Sequence, residues 1–162
     1  MSEPSFTRSG VHRRRGEGKS FWLITDLITF KAVGEDTNGA FTVTEVSAGP
    51  DIGPPPHIHR HADECFHILE GTFEFSLAGE AFTAAAGSFV YLPKGVIHTH
   101  KAGGAGPARA LVTQVPSGVE HFIQEAGTPA TDPSARPGPP TASDLERVLS
   151  AAEKYGIDVP RE

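Results

Sequence analysis

From residue 20 to residue 125 the chain reads as a succession of short β-type runs, each cut off by Gly, Pro, Asp or Asn. Strand candidates are 21–25, 27–32, 41–47, 64–69, 72–77, 81–84, 88–92, 98–100 and 109–115, with residues 34–39 as a turn and Gly71 and Gly79 at hairpins. So many short strands with no helix among them must close on one another as a sandwich or barrel, because a lone sheet leaves a face unburied. No internal repeat is visible, so one barrel is expected.

The tail differs. Five prolines between Gly127 and Pro140 predict an extended strap. A helix over about 144–155 should follow, with Ser143 as N-cap, Glu146 at N3, and Leu145, Val148, Leu149, Ala152 and Tyr155 as its apolar stripe. Gly156 is a natural C-terminal stop. The expected organisation is therefore a flexible polar arm (1–19), a barrel (20–125), and the strap with its helix (126–162).

Composition excludes several classes. The net charge of −6 argues against a general nucleic-acid binder, although residues 1–20 carry five Lys/Arg, including Arg13, Arg14 and Arg15, against two Glu. No apolar run is long enough to span a membrane, and the first residues lack the apolar stretch of a secretory leader. A single cysteine, Cys65, rules out an internal disulfide; a cytoplasmic protein is the expectation.

The chemistry concentrates in Pro54-Pro55-Pro56-His57-Ile58-His59-Arg60-His61-Ala62-Asp63-Glu64. On a strand, His57 and His59 point to one face, so two imidazoles can grip one ion, and Glu64 can add a carboxylate from beside them. A third imidazole must come from elsewhere. His98 supplies it, where the chain re-enters the sheet after Pro93-Lys94-Gly95. Mixed imidazole and carboxylate donors suit one divalent transition metal, Fe, Mn, Ni, Co, Cu or Zn.

These residues resemble the two signature motifs of the cupins. His57-x-His59, four residues, Glu64, six residues, Gly71 is similar to the first. Gly87, five residues, Pro93-x-Gly95, two residues, His98 is similar to the second. Gly53 sits slightly off the first motif's spacing, and Ala102 stands where the family often has Asn. The resemblance spans about residues 40–115. It implies an all-β jelly-roll barrel of two antiparallel sheets, here with one C-terminal amphipathic helix. It also implies an inward 3-His/1-Glu metal set and a homodimer.

Among cupins, the Pro-Pro-Pro-His-Ile-His run and Pro-rich tail look most like single-domain quercetin-dioxygenase-type proteins. That implies a metal-dependent oxygenase acting with O₂ on a small apolar or aromatic molecule, with Glu64 as both ligand and catalytic base. A metal-dependent isomerase, cyclase or lyase is the alternative, and a non-catalytic small-molecule-binding cupin another. Alternation nominates Phe41, Phe66, Phe73, Phe75, Phe89, Tyr91 and His100 as substrate-pocket residues, with Val43, Ile68 and Ile97 beside them. Cys65 and His67 should face away from Glu64, and His61 should face solvent.

Overall fold

A computed structural model of the chain describes residues 10–49 and 52–161. In chain order the first elements are β1 (Ser20–Leu23), β2 (Asp26–Ala32), the single helical turn α1 (Gly34–Thr37), β3 (Thr42–Ala48), β4 (Ile58–His59), β5 (Asp63–Glu70) and β6 (Thr72–Leu77). Then come β7 (Glu80–Ala85), β8 (Phe89–Leu92), β9 (His98–Ala102), β10 (Ala108–Val115), α2 (Val119–Ala126), β11 (Thr128–Pro129), α3 (Ala142–Lys154) and β12 (Ile157–Asp158).

One antiparallel sheet runs β11-β1-β2-β3-β10-β5-β8. A second, β7-β6-β9, is prolonged through a bridge between His57 and His98 to the pair β4-β12. The two sheets face each other across an apolar interior. Phe66 of β5 meets Phe73 and Phe75 of β6 with ring centroids 6.2 and 5.2 Å apart. Ile68, Val90, Leu92, Ala110 and Val112 complete one wall, and Ala84 and Ala102 the other. Each fully buried Phe, Ile or Leu here contributes about 1.5–3 kcal/mol to folding. The architecture is the two-sheet jelly roll that the resemblance implies, within the sandwich or barrel expected from the strand pattern. The β5–β6 hairpin depends on Gly71. Its φ is +70°, and a Cβ there would lie 2.1 Å from the Pro107 carbonyl oxygen.

Four local expectations differ from the structure. On β3 the inward side chains are Thr42, Thr44, Val46 and Ala48, so Val43 and Phe41 face outward. Polar Thr42 is tolerated inside because its hydroxyl donates to the buried carboxylate of Glu120. Glu120 also accepts from the Gly34 and Gly118 amides, and these bonds hold its carboxyl below the usual range against the opposing effect of burial.

Helix α2 lies inside the stretch read as helix-free. Val119, Phe122, Ile123 and Ala126 recur at helical spacing and bury against the core. The reason it escapes a sequence reading is its brevity: eight residues directly after a strand and Pro116.

Helix α3 begins two residues earlier than its expected start. Thr141 is the N-cap, accepting from Asp144 N while the Asp144 carboxylate accepts from Thr141 N. Both Thr141–Asp144 and Ser143–Glu146 have capping-box spacing. The earlier box prevails because each further helical residue closes another backbone hydrogen bond. Gly156, at φ +77°, ends the helix as expected. The helix lays Val148, Ala151, Ala152 and Tyr155 against the core and α2, which leaves Leu145 and Leu149 exposed.

The fourth difference is the arm. Residues 1–9 lie outside the described residues, but residues 10–19 run along β2. The Lys31 ammonium donates to the Arg14 and Glu17 carbonyls, Arg13 donates to the Lys31 carbonyl and pairs with Asp36, and Arg15 pairs with Glu70. The arginine triplet thus serves contacts within the chain.

Candidate metal centre

The two sheets bring His57, His59, Glu64 and His98 together, all buried, with donor atoms within 4.8 Å of one another. Metal–ligand bonds of about 2.1 Å place the donors of one ion roughly 3–4 Å apart, so the cluster has the dimensions of a single site. Backbone hydrogen bonds fix three of the four. His57 N donates to His98 O, and His98 N donates to His57 O, both at 3.0 Å, so the second-motif histidine is clamped directly to the first. His59 is held between Gly95, whose amide donates to its carbonyl at 2.8 Å, and β12, where Ile157 is its ladder partner. Glu64 arrives from the opposite sheet, on the inward face of β5 with Phe66 and Ile68.

The ring nitrogens carry the chemical argument. His57 Nδ1 lies 2.9 Å from the Pro55 carbonyl, and His98 Nδ1 lies 3.1 Å from the Val96 carbonyl. A carbonyl only accepts, so both Nδ1 atoms carry the proton, and the Nε2 lone pairs are left for the cluster. His98 Nε2 is 3.1 Å and His59 Nε2 3.4 Å from the same oxygen, Glu64 Oε2. An imidazole lone pair and a carboxylate lone pair at that distance repel unless a cation sits between them. The arrangement therefore calls for a positive charge at its centre, and a divalent ion fits the donor set.

Electrostatics agree. Burial, then neighbouring His59 and His98, push the His57 imidazole down to about 3, and burial lowers His59 as well despite Glu64 beside it. Burial alone would raise Glu64, yet the imidazoles around it hold its carboxyl well below the ordinary range. Two neutral imidazoles and an ionised carboxylate are the forms that bind a metal.

The remaining sequence-nominated residues divide. Phe66, Phe73 and Phe75 are buried inside the barrel, and His100 stands among them, 4.9 Å from the Phe66 ring. Its Nδ1 is buried without a hydrogen-bond partner, and burial lowers its pKa to about 4. Phe89 and Tyr91 do not line the interior. They are 67% and 49% exposed on the outer face of β8, register partners of His67 and Cys65. The inward positions of that strand are Val90 and Leu92. Phe41 is 38% exposed, and Ile97 also reaches solvent. Strand alternation gives two faces without saying which is inner, and the structure turns these aromatics to the outer one. His61 and His67 are exposed.

Sequence reasoning missed Gln114, which is buried on β10 with its amide nitrogen 3.1 Å from Glu64 Oε1. Alternation through Ala110, Val112 and Gln114 is the signal that could have found it. A cleft of about 520 Å³ lies elsewhere. Glu74, Thr83, Thr99 and Lys101 line it together with Phe75 and His100, two of the nominated pocket residues, and none of the four clustered residues takes part.

A jelly roll with a buried 3-His/1-Glu cluster has the make-up of a metal-binding β-barrel, and comparison with known proteins shows what it resembles. Residues 43–114 match the model of the cupin domain. The chain is 28% identical over 88 residues to a quercetin 2,3-dioxygenase of Bacillus subtilis, covering 54% of this chain and 26% of that protein. It is 28% identical over 148 residues to a quercetin 2,3-dioxygenase of Aspergillus japonicus, covering 87% of this chain and 42% of the relative. The chain thus spans less than half the length of either enzyme. A structure described as a predicted oxalate decarboxylase from Thermotoga maritima superposes with a TM-score of 0.59 at 18% identity, over 65% of this chain and 98% of that one, a likeness of fold. Over residues 43–114 the chain is similar to the cupin domain, and it is similar to quercetin dioxygenases.

Proposed function

We propose that the protein is a metal-dependent oxygenase of a small apolar or aromatic molecule. The observation that carries this reading is the buried cluster of three imidazoles and one carboxylate, and the similarity to two quercetin 2,3-dioxygenases supports it. His57, His59, His98 and Glu64 would hold one divalent ion. When bound, the ion supplies Lewis acidity and open coordination positions for a substrate oxygen and O₂.

The rest is done by the chain. Glu64 is the one carboxylate in the cluster and the candidate to take the substrate's proton. His100 offers a ring nitrogen with no partner among apolar neighbours, suited to a substrate hydroxyl or carbonyl. Phe66, Phe73 and Phe75 form the apolar wall behind it and exclude water.

The test is oxygen uptake by the metal-loaded protein offered flavonols and related enolic aromatics. Uptake matched to substrate loss is expected. Conversion at full rate without oxygen would replace the oxygenase by an isomerase, cyclase or lyase. Binding of the compounds with no turnover would leave a binding cupin.

A cytoplasmic homodimer belongs to the same proposal. Leu145 and Leu149 on α3, and Phe89 and Tyr91 on β8, are exposed apolar side chains available to a second copy. No helix among the described residues is long and apolar enough to cross a membrane. Light scattering is expected to give twice the chain mass; the mass of one chain would reject the dimer.

A further inference from the structure

We infer that Gln114 is the positioning residue of the metal centre, and that it dictates which oxygen of Glu64 faces the ion. The inference rests on the metal-centre reading but not on the oxygenase reaction.

Strand register makes the pair. Glu64 of β5 and Gln114 of β10 are direct partners across an antiparallel ladder, and both side chains point into the barrel. Directly opposed residues hold their Cβ atoms about 5 Å apart, close enough for an amide to meet a carboxylate without strain. Gln114 Nε2 donates to Glu64 Oε1 at 3.1 Å, and each residue is only 5% exposed. The two carboxylate oxygens are thereby given different tasks. Oε2 faces the His59 and His98 nitrogens, where a cation belongs, while Oε1 is taken by the amide.

An amide suits this place for two reasons. It donates to an anion without adding charge, so the ionised carboxylate is stabilised and the ion's net charge balance is unaltered. Its proton is also not lost or gained in the working pH range, so the orientation does not change with pH. Held in this way, Glu64 would offer a bound ion one oxygen and keep the other on the amide.

Gln114→Met keeps the length of the side chain and removes the donor. Measured on the full chain with Co²⁺ and a competing chelator, its affinity is expected to fall about 10–100-fold, the usual cost of losing a partner outside the ligand set. The visible absorption of bound Co²⁺ should change as the carboxylate turns, an effect that loss of packing would not produce. Co²⁺ affinity and absorption equal to the parent's would overturn the assignment. If the Met variant fails to fold, a crystal structure of the Co²⁺-loaded parent gives the answer. One Glu64 oxygen on the ion and the other on Gln114 supports it; both oxygens on the ion, or Gln114 turned away, overturns it. A parent that takes up no Co²⁺ would instead sink the metal-centre reading, and this inference with it.

Discussion

His98→Ala is expected to strip the protein of its metal while leaving the barrel folded. His98 is the ligand that joins the two motifs, and its Nε2 stands 3.1 Å from Glu64 Oε2. Loss of a partner outside the ligand set already costs about 10–100-fold in affinity, so loss of a ligand should exceed about 100-fold. The fold should survive because the interior is built from Phe66, Ile68, Phe73, Phe75 and Leu92, none of which changes. The cost of the smaller side chain is about 1–3 kcal/mol, from the cavity left at a buried position and the Val96 carbonyl left without its donor. Elemental analysis after dialysis should find the variant nearly metal-free beside a loaded parent. Equal metal in the two would contradict the site.

Acid should act on the same centre. The metal-free protein holds His57 near 3, keeps His59 below its ordinary value and holds His100 near 4, all mainly through burial. Unfolded imidazoles titrate near 6.5, so below that pH the unfolded chain binds more protons than the folded one. Stability then falls as the pH drops from about 6.5 toward 4. Glu64, held low, adds to the loss on the acid side. Asp26 runs the other way: burial raises it to about 6, so the folded chain gains stability as that carboxyl is protonated. One carboxyl against three imidazoles does not reverse the trend, and a melting temperature that rises on acidification across this range would refute it.

Deleting residues 142–162 is expected to cost both stability and metal. The segment contributes Val148, Ala151, Ala152, Tyr155 and Ile157 to the apolar core and packs α3 against α2. At about 25 cal/mol per Å² this burial is on the order of 5 kcal/mol, a large part of the 5–15 kcal/mol that holds a typical domain. The loss of metal has a different cause. β12 is the ladder partner of β4, with Ile157 opposite His59, and the Arg60 amide donates to the Gly156 carbonyl. Without β12, the strand bearing His59 is left as a free edge, held through the His57–His98 bridge before it and Gly95. Calorimetry and chelator competition on the truncated chain should both register the change. Unchanged melting and unchanged affinity would make the helix and final strand dispensable.

Much of this was legible in the sequence because it depends on short-range rules. The period-two pattern and the Gly and Pro punctuation specify short strands. Two histidines two residues apart share a face wherever they sit in a strand. The spacing from Gly87 to His98 sets how soon the chain returns after a turn. A capping box ahead of α3 is visible too, although the sequence reading takes Ser143–Glu146 and the chain uses Thr141–Asp144.

What the sequence by itself determined is a barrel of short strands with a terminal helix and four donor side chains able to serve one ion. The tertiary structure alone decided which face of each strand became interior: it turned Phe89, Tyr91 and Phe41 outward and Thr42 and Gln114 inward. It also decided that β12 would brace β4 and that Gln114 would oppose Glu64. The physical reason is that alternation is a property of one strand, whereas inside and outside, and the partner across a ladder, exist only once distant segments have paired in register.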